Sequence, residues 1–299
     1  MSSKLVVSIS AYNAPASLAQ LVENVFHYVD PEVIIVFDAS PEQNLADGLD
    51  VVKCASSAPV RWGHLVPYFV TVMDWLRRTR QDYDYLVALH GDQLFIRPGL
   101  AEYLDGLMPD SSYMAHGFLR TDEWCESRIP PLRRFHSGWK RIWGPLFGTD
   151  APSWAYSPGQ VFRKEFIEKT TEFPNFDRII ELATKSRLLG IEELIYATLA
   201  DAMGCNPLRF PEESGNHQPI VDLHRLKMYL DLPTVHMIHK IDMDPEDPVR
   251  QAVRELQHGR SAMLDELPSV EFSPWPLDPP WPSKGLSSRL KDLYFHFLP

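Results

Sequence analysis

The sequence lacks the short signatures of several common enzyme classes. It has no glycine-rich phosphate loop ending in Lys-Ser/Thr, no Gly-x-Gly-x-x-Gly after its first predicted strand, no Gly-x-Ser-x-Gly and no His-Glu-x-x-His. Each of these motifs performs a defined chemical task. Their absence therefore argues against P-loop kinases, Rossmann dehydrogenases, α/β-hydrolases and zincin proteases.

Cysteine and positive charge are also scarce. The three cysteines, Cys54, Cys125 and Cys205, match no zinc spacing and cannot all pair within one chain, so a reducing cytoplasm is the expected location. Lys and Arg number 29 against 40 Asp and Glu, for a net charge of -11. Because binding to phosphate backbones needs a basic excess, we expect no nucleic-acid partner and favour small-molecule or glycan substrates.

Long hydrophobic runs are missing as well. The first residues, MSSKLVVSISAYN, turn polar too soon for a signal sequence or a membrane span, and we expect no transmembrane segment. Proline is instead concentrated in SPWPLDPPWPSKG near the end. We predict one domain over 1–268, and a strap with a short helix over 269–299 that docks on the body, on a second copy as a homodimer, or on a membrane surface, with docking on protein favoured.

The first part of the chain alternates buried strands with amphipathic helices. Leu5 to Ser10 and Val33 to Phe37 are continuous apolar runs, and apolar residues between 18 and 26 recur at helical spacing. A second unit repeats the plan and ends in the strand YLVALH. This pattern predicts an α/β fold, a Rossmann-like mixed sheet flanked by helices, with a nucleotide-binding half over 1–110 and an acceptor half over 111–268.

Periodicity fades from about Met108 to Pro158, in a segment rich in Trp, Arg, Pro and Gly that is typical of binding loops. Order returns with VFRKEFIEKTT and GIEELIYATLADAMG, both predicted to be helical. In the second of these, Ile191 and Leu194 belong to an apolar stripe, Glu193 projects away from it, and Glu192 lies nearer its edge, where capping is expected.

Several polar residues have two interpretations. Asp38, at the end of an apolar strand, is either a turn or cap residue or an acceptor for a ribose or uracil group. Asp82 and Asp84 precede a strand and are interpreted as a solvated turn. His236 and His239 are three residues apart, and without a nearby carboxylate or third ligand a buried, hydrogen-bonded role is favoured over metal binding.

Taken together, the segments from about Val6 to Asp244 resemble the core-2/I-branching N-acetylglucosaminyltransferase and peptide xylosyltransferase family, which are inverting enzymes of GT-A fold. The resemblance lies in the order and spacing of AYNAPASL, IIVFDAS, VRWGHLVPYFVTVMDWL, DYDYLVALHGDQLFIR, SPGQVFRKEFI, GIEELIYAT and MIHKID. The chain departs from the family at Gly91-Asp92-Gln93, which leaves the donor sugar open. It also lacks the disulfides and membrane anchor of the animal members, as expected of a bacterial-type cytoplasmic enzyme.

The resemblance implies a donor site for a UDP-sugar. Asp38 would bind the uridine, Lys240 and Arg209 would contact the diphosphate, and Tyr12 and Asp92 would complete the donor contacts. Family members of this kind stabilise the leaving diphosphate with Arg or Lys, so no metal or other cofactor is expected.

The resemblance also implies the catalytic and acceptor residues. Glu193 would be the general base, and the acceptor contacts would come from WKRIW and SPGQ, that is from Trp139, Lys140, Arg141 and Gln160. The predicted function is transfer of a GlcNAc- or xylose-like sugar to a hydroxyl of a glycan or small molecule, with a β-linked product. Two alternatives stay open: a transferase that uses Mn²⁺ or Mg²⁺ held by His90 and Asp92, and a non-catalytic nucleotide-sugar or glycan-binding protein.

Overall fold

A seven-stranded sheet forms the centre of the computed structural model, which describes residues 3–55, 63–120, 138–210 and 220–268. The described strands are β1 (Leu5–Ala11), β2 (Val33–Asp38), β3 (Val52–Ala55), β4 (Tyr85–His90), β5 (Gln93–Phe95), β6 (Tyr113–Ala115), β7 (Leu119–Arg120), β8 (Ser153–Trp154), β9 (Gln160–Arg163), β10 (Leu208–Arg209) and β11 (Met237–His239). The strand order in the large sheet is β10-β6-β9-β4-β1-β2-β3, and β5 with β11 and β7 with β8 form two further pairs.

Helices connect most of these strands. Those within the described ranges are α1 (Pro15–Tyr28), α2 (Val66–Thr79), α3 (Leu100–Leu107), α4 (Lys140–Phe147), α5 (Lys164–Glu172), α6 (Phe176–Lys185), α7 (Ile191–Ala202), α8 (Leu223–Leu230), α9 (Pro248–Gln257) and α10 (Ala262–Asp265). None of them is both long and apolar enough to cross a lipid bilayer.

The apolar runs form central strands because helices cover both faces of the sheet. In β1, Val6 packs into the apolar cluster that includes α2 and α7, while its neighbour Val7 packs into the cluster on the other face with α1. Both side chains are fully buried. Complete burial of such a side chain contributes roughly 1.5–3 kcal/mol, so strands of this kind have to be apolar at every position. The predicted α/β class is confirmed.

The order of the parallel strands reverses next to β1. β2 and β3 lie on one side of β1, and β4 lies on the other side, all parallel. In open α/β sheets, ligands bind at such a reversal, outside the carboxyl ends of the strands. The fold thus singles out the carboxyl edge of β1 and β4 for a site.

Strands from the second part of the chain extend the same sheet. β9 pairs antiparallel with both β4 and β6, and β10 pairs parallel with β6. The prediction of helix for VFR in VFRKEFIEKTT is therefore wrong, and the helix begins at Lys164. The cause is burial on both faces, since Val161 and Phe162 point to opposite apolar clusters.

The segment expected to be irregular is partly ordered. It contains β6, β7 and β8 and the helix α4, in which Trp143 is completely buried. Residues 121–137 of this segment lie outside the described residues. The predicted strap, helix and homodimer contact over 269–299 also fall outside them, and the division into two functional halves stays a prediction.

Candidate active site

Polar side chains collect at the carboxyl edge where the order of the strands reverses. Asp38 closes β2 and His90 closes β4, while Tyr12 follows β1 and is 58% exposed. Ser10 pairs with His90 in the register of β1 and β4, so these ends are level with each other. An exposed aromatic ring at this position is available to a planar ligand.

Asp38 has most of its hydrogen-bonding capacity engaged within the protein. The side chain is 2% exposed. Its Oδ1 accepts hydrogen bonds from the backbone N and the Oγ of Ser40, at 2.9 and 2.6 Å, and Oδ2 accepts from the backbone N of Leu45 at 2.8 Å. The carboxylate thus orders the loop after β2, which is the turn role weighed above. Because a carboxylate can accept about four hydrogen bonds, uridine contact stays a prediction.

The turn between β4 and β5 is tightly packed. Gln93 is buried, and its Oε1 accepts a hydrogen bond from the backbone N of His90 at 2.8 Å. A Cβ atom on Gly91 would lie 3.1 Å from the Cε of Met243, so a larger residue would push this side chain aside. The turn therefore fixes the backbone on both sides of Asp92.

The carboxylate of Asp92 lies near two histidines and a lysine. Its Oδ2 lies 3.5 Å from the Nε2 of His239, and its backbone O accepts from the N of Ile241 at 2.9 Å. Burial opposes the charge, but contact with His239 and the fields of His90 and Lys240 outweigh burial and lower the pKa of Asp92 to about 2.

The expectation that no carboxylate lies near the histidine pair is wrong for His239. β11 runs antiparallel to β5 and sets His239 opposite Gln93, beside Asp92. The contact joins residues far apart in sequence, so spacing alone could not reveal it. His90, at the same edge, has a pKa lowered to about 4, chiefly by burial, and is a neutral imidazole at neutral pH.

A second polar group occupies the first turn of α7. The Nε1 of Trp154 donates a hydrogen bond to the Oε2 of Glu193 at 2.9 Å, and the backbone N–H of Ser157 is a further donor. Burial raises the pKa of the half-buried Glu193 to about 7, although both hydrogen bonds favour its ionised form. A carboxyl group with a pKa near neutral pH is suited to accepting a proton.

Glu192 is more deeply buried than its neighbour, with 2% exposed. α7 is enclosed on nearly all sides, so the expectation that Glu192 lies at the rim of a single apolar stripe is wrong. A backbone N–H of Leu65 donates to the Glu192 carboxyl, yet burial and then the charge of Glu193 raise its pKa to about 8. Its Oε2 and the hydroxyl of Tyr196 have no hydrogen-bond partner among the described residues.

The chain between β8 and β9 connects the two groups. Ser157 hydrogen-bonds Glu193, and two residues later the N of Gly159 donates to the O of Ala88 in β4 at 2.8 Å. Two residues span at most about 7 Å, and with a hydrogen bond of about 3 Å at each end the Glu193 carboxyl lies within roughly 13 Å of Ala88, which is two residues before the end of β4.

Arg209, the second predicted diphosphate contact, ends the outermost strand β10 and is exposed. At about 4.8 Å per strand, three strand spacings separate it from β4, or roughly 14 Å. Lys240, in contrast, acts electrostatically on Asp92 beside β4. The two cations thus flank the site from different sides, and their contact with one diphosphate stays a prediction.

The predicted acceptor residues are spread over two elements. Lys140 and Arg141 are exposed on α4, whereas Trp139 is only 7% exposed and its Nε1 donates to the Oγ of Ser186 at 3.1 Å. Gln160, in β9, is fully buried, and its Nε2 donates to the O of Tyr156 at 3.0 Å. Only the two cations offer an open surface, and an acceptor role for all four residues stays a prediction.

No three His, Cys, Asp or Glu side chains within the described ranges are grouped so that they could hold a metal ion. Asp92 is instead engaged with His239. Asp82 and Asp84 lie away from the edge and contact the Nζ and the backbone N of Lys4, at 2.5 and 2.7 Å, in agreement with a solvated turn.

Comparison with protein-family models and with curated proteins finds no match. Among solved structures, the galactosyltransferase LgtC with donor and acceptor sugar analogs is similar at a TM-score of 0.41 and 12% identity, over 85% of this chain and 96% of that chain. The bifunctional glycosyltransferase WbbM gives 0.43 and 14%, over 87% and 52%. CMP:2-keto-3-deoxy-manno-octonic acid synthetase complexed with CTP gives 0.40 and 14%, over 70% and 89%. Similarity at this level does not assign an activity.

Four residues that shape the site are not evident as such from the sequence. Trp154 and Ser157 orient Glu193, His239 faces Asp92, and Gln93 holds the turn after β4. Trp154 and Ser157 lie in the segment without periodicity, and the other two act through tertiary pairing. The polar Gln93 within QLF, next to an apolar strand, was the one available signal.

Proposed function

We propose that this chain is an inverting glycosyltransferase of GT-A fold that moves a GlcNAc- or xylose-like sugar from a UDP-sugar to a hydroxyl of a glycan or small-molecule acceptor. The observation that carries the proposal is Glu193, a half-buried carboxyl held by Trp154 and Ser157, whose pKa burial raises to about 7. It lies near the strand ends where an open sheet binds ligands. The resemblance of the sequence segments supports the choice of a sugar nucleotide.

In the proposed reaction, Glu193 takes the proton of the acceptor hydroxyl as the hydroxyl oxygen forms a bond to the anomeric carbon of the donor. The bond from that carbon to the diphosphate oxygen breaks, and its electron pair leaves with UDP. Attack comes from the face opposite UDP, so an α-linked donor gives a β-linked product. General-base assistance of this kind contributes roughly a hundredfold to ten-thousandfold.

The donor side of the proposal needs positive charge where the diphosphate leaves. We assign this charge to Lys240 beside β4, which acts electrostatically on Asp92, and the Oδ2 of Asp92 lies 3.5 Å from the Nε2 of His239. Tyr12 offers an exposed ring for the uracil. We derive no step through a metal ion. The proposal includes a cytoplasmic location, supported by the buried free thiols of Cys54 and Cys205.

The experiment that tests this function is a thermal-shift screen of nucleoside diphosphates, followed by UDP release from UDP-sugars with and without glycan acceptors. A ligand present at a hundred times its dissociation constant stabilises the folded state by about 2.7 kcal/mol, which the screen detects. We expect UDP to stabilise the protein more than ADP or GDP does. Stabilisation without any turnover would favour a binding protein, and no response to any nucleotide would refute the proposal.

A further inference from the structure

A buried arginine in the first turn of α9 connects two loops of the site. Arg250 is 3% exposed. Its Nε donates a hydrogen bond to the O of Asp242 at 2.5 Å, and its Nη2 donates to the O of Gly91 at 3.0 Å. Gly91 belongs to the turn between β4 and β5, and Asp242 belongs to the segment after β11. These turns come from distant parts of the sequence, and one guanidinium joins them.

The two carbonyl groups are immediate neighbours of the charged residues at the edge. Asp92 follows Gly91, and Lys240 precedes Asp242 by two residues. A guanidinium is a rigid planar fork of donors, so two simultaneous hydrogen bonds fix both the distance and the angle between the backbones that accept them. Arg250 therefore constrains the separation of the Asp92 and Lys240 backbones, together with the hydrogen bond from the N of Ile241 to the O of Asp92.

Helix α1 is attached to the same unit through Ser17. The Nη2 of Arg250 lies 3.7 Å from the Sδ of Met243, whose backbone O accepts a hydrogen bond from the Oγ of Ser17 at the start of α1. The Cε of Met243 in turn packs where a side chain on Gly91 would lie. Arg250 thus contacts the turn after β4 and the segment after β11, and Ser17 connects that segment to α1.

Burying the charged guanidinium of Arg250 costs desolvation free energy, which an apolar side chain that only fills space would not. Burial lowers the pKa of Arg250, while Asp247, Asp92 and Asp242 oppose the shift. Of these, Asp247 caps α9 by accepting from the backbone N of Val249 and of Arg250 itself. An apolar residue of similar volume would avoid the cost of desolvation, so the hydrogen bonds to the loops are the gain that the guanidinium brings.

We propose that Arg250 is a positioning residue of the donor site, which holds Asp92 and Lys240 at the separation that the diphosphate of the donor requires. This inference rests on the proposed function. Arg250 contacts backbone carbonyls rather than the reacting atoms, so its loss should weaken donor binding and leave acceptor binding intact.

The test compares Arg250→Met and Arg250→Lys with the matched control Arg254→Met, an exposed arginine one turn further along α9. Calorimetry with UDP measures donor affinity, and steady-state kinetics separate the KM for donor from the KM for acceptor. We expect Arg250→Met to raise the Kd for UDP by about tenfold or more, since charge-assisted hydrogen bonds are lost. The Kd of Arg250→Lys for UDP should lie between those of the wild type and Arg250→Met, because an ammonium group keeps the charge without the planar fork of donors. Arg254→Met should bind UDP like the wild type.

A purely structural role would lower Tm and leave the ratio of the two KM values unchanged, and that result overturns the inference. If Arg250→Met does not fold, Arg250→Lys decides, and wild-type UDP affinity in that variant overturns the inference alone. Absence of UDP binding by the wild-type protein overturns the proposed function and this inference with it.

Discussion

Asp92 and Glu193 are two carboxyl groups of one candidate site in opposite electrostatic surroundings. Asp92 lies among His239, His90 and Lys240, and its pKa falls to about 2 despite burial. Glu193 lies beside Trp154 and the buried carboxyl of Glu192, and burial raises its pKa to about 7. Neighbouring charge decides the outcome in the first region, and desolvation decides it in the second.

The difference suggests a division of tasks. A carboxylate that stays ionised at every physiological pH can hold a cation such as Lys240 in place, but it is a weak base. A carboxyl that titrates near neutral pH can take up a proton during turnover. Opposed pKa shifts in neighbouring groups are common at active sites, although structural ion pairs produce them too, so each region needs its own test.

The largest expected effect is that of removing the proposed general base, Glu193. Glu193→Gln keeps the size of the side chain and removes the base, so kcat should fall by at least about a hundredfold. UDP affinity should remain at the wild-type value, because Glu193 faces the acceptor. Kinetics at saturating donor and calorimetry with UDP measure the two quantities.

Glu192→Gln is the matched comparison for this experiment, since it changes the adjacent carboxyl in the same way. Neighbours on a helix point about 100° apart, so only one of the two can face the acceptor hydroxyl. A dead Glu192→Gln beside an active Glu193→Gln would transfer the role of base to Glu192. Full activity of both would refute the assignment of this helix turn.

On the donor side, Lys240→Met should raise the Kd for UDP by about tenfold, the loss expected when one charge-assisted contact disappears. The effect on kcat should be smaller than that of Glu193→Gln. Lys185→Met, at an exposed residue of α6, serves as the control. If the Lys240 variant binds UDP as tightly as the wild type, Lys240 has a structural role and does not belong to the donor site.

The sequence was informative where local pattern determines structure. The runs now seen as β1, β2 and β4 were predicted from their apolar residues, and so was the position of Asp38 and His90 at strand ends. Parallel strands buried on both faces leave a strong signal, because every position has to be apolar.

The unpredicted parts depend on contacts between distant segments. The pairing of β5 with β11 creates the contact of Asp92 with His239, and no spacing rule links residues 147 positions apart. β9 was taken for part of a helix because it is only four residues long and continues directly into one. The pKa of Glu193 depends on its burial and on hydrogen bonds from Trp154 and Ser157, which lie in a segment with no periodicity.

A smaller effect is expected on stability when the buried carboxyl beside the base is neutralised. The folded-state pKa of Glu192, about 8, is above its ordinary value of 4.5. The protonated form is thus favoured in the folded state, and stability from this group is complete below about pH 4.5 and is lost as pH rises through about 8. Glu192→Gln should therefore have the higher Tm above pH 8, by a few °C, and no advantage at pH 4.5.

Thermal melts across this pH range measure the effect, with Glu168→Gln on the surface of α5 as the control. A difference between Glu192→Gln and wild type that does not vary with pH would show that the carboxyl of Glu192 is not titrating in this range.

The smallest expected effect is that of a chelator. His90 is a neutral imidazole that interacts electrostatically with Asp92. The Nε2 of His90 and the Oδ1 of Asp92 have no hydrogen-bond partner among the described residues. A divalent cation held by these two atoms is therefore the alternative to the metal-independent site proposed above. Two features argue against it. The Oδ2 of Asp92 already faces His239, and the positive charge of Lys240 acts on the same carboxylate and would repel a metal ion.

Activity should accordingly be unchanged by EDTA, measured as UDP release after dialysis against the chelator, with a known manganese-dependent glycosyltransferase treated in parallel to show that chelation was complete. Loss of activity with recovery on adding Mn²⁺, abolished in Asp92→Asn, would assign a metal to His90 and Asp92. The contrast between the two carboxyls would survive that result, but Asp92 would then owe its low pKa in the working enzyme to a bound cation rather than to His239.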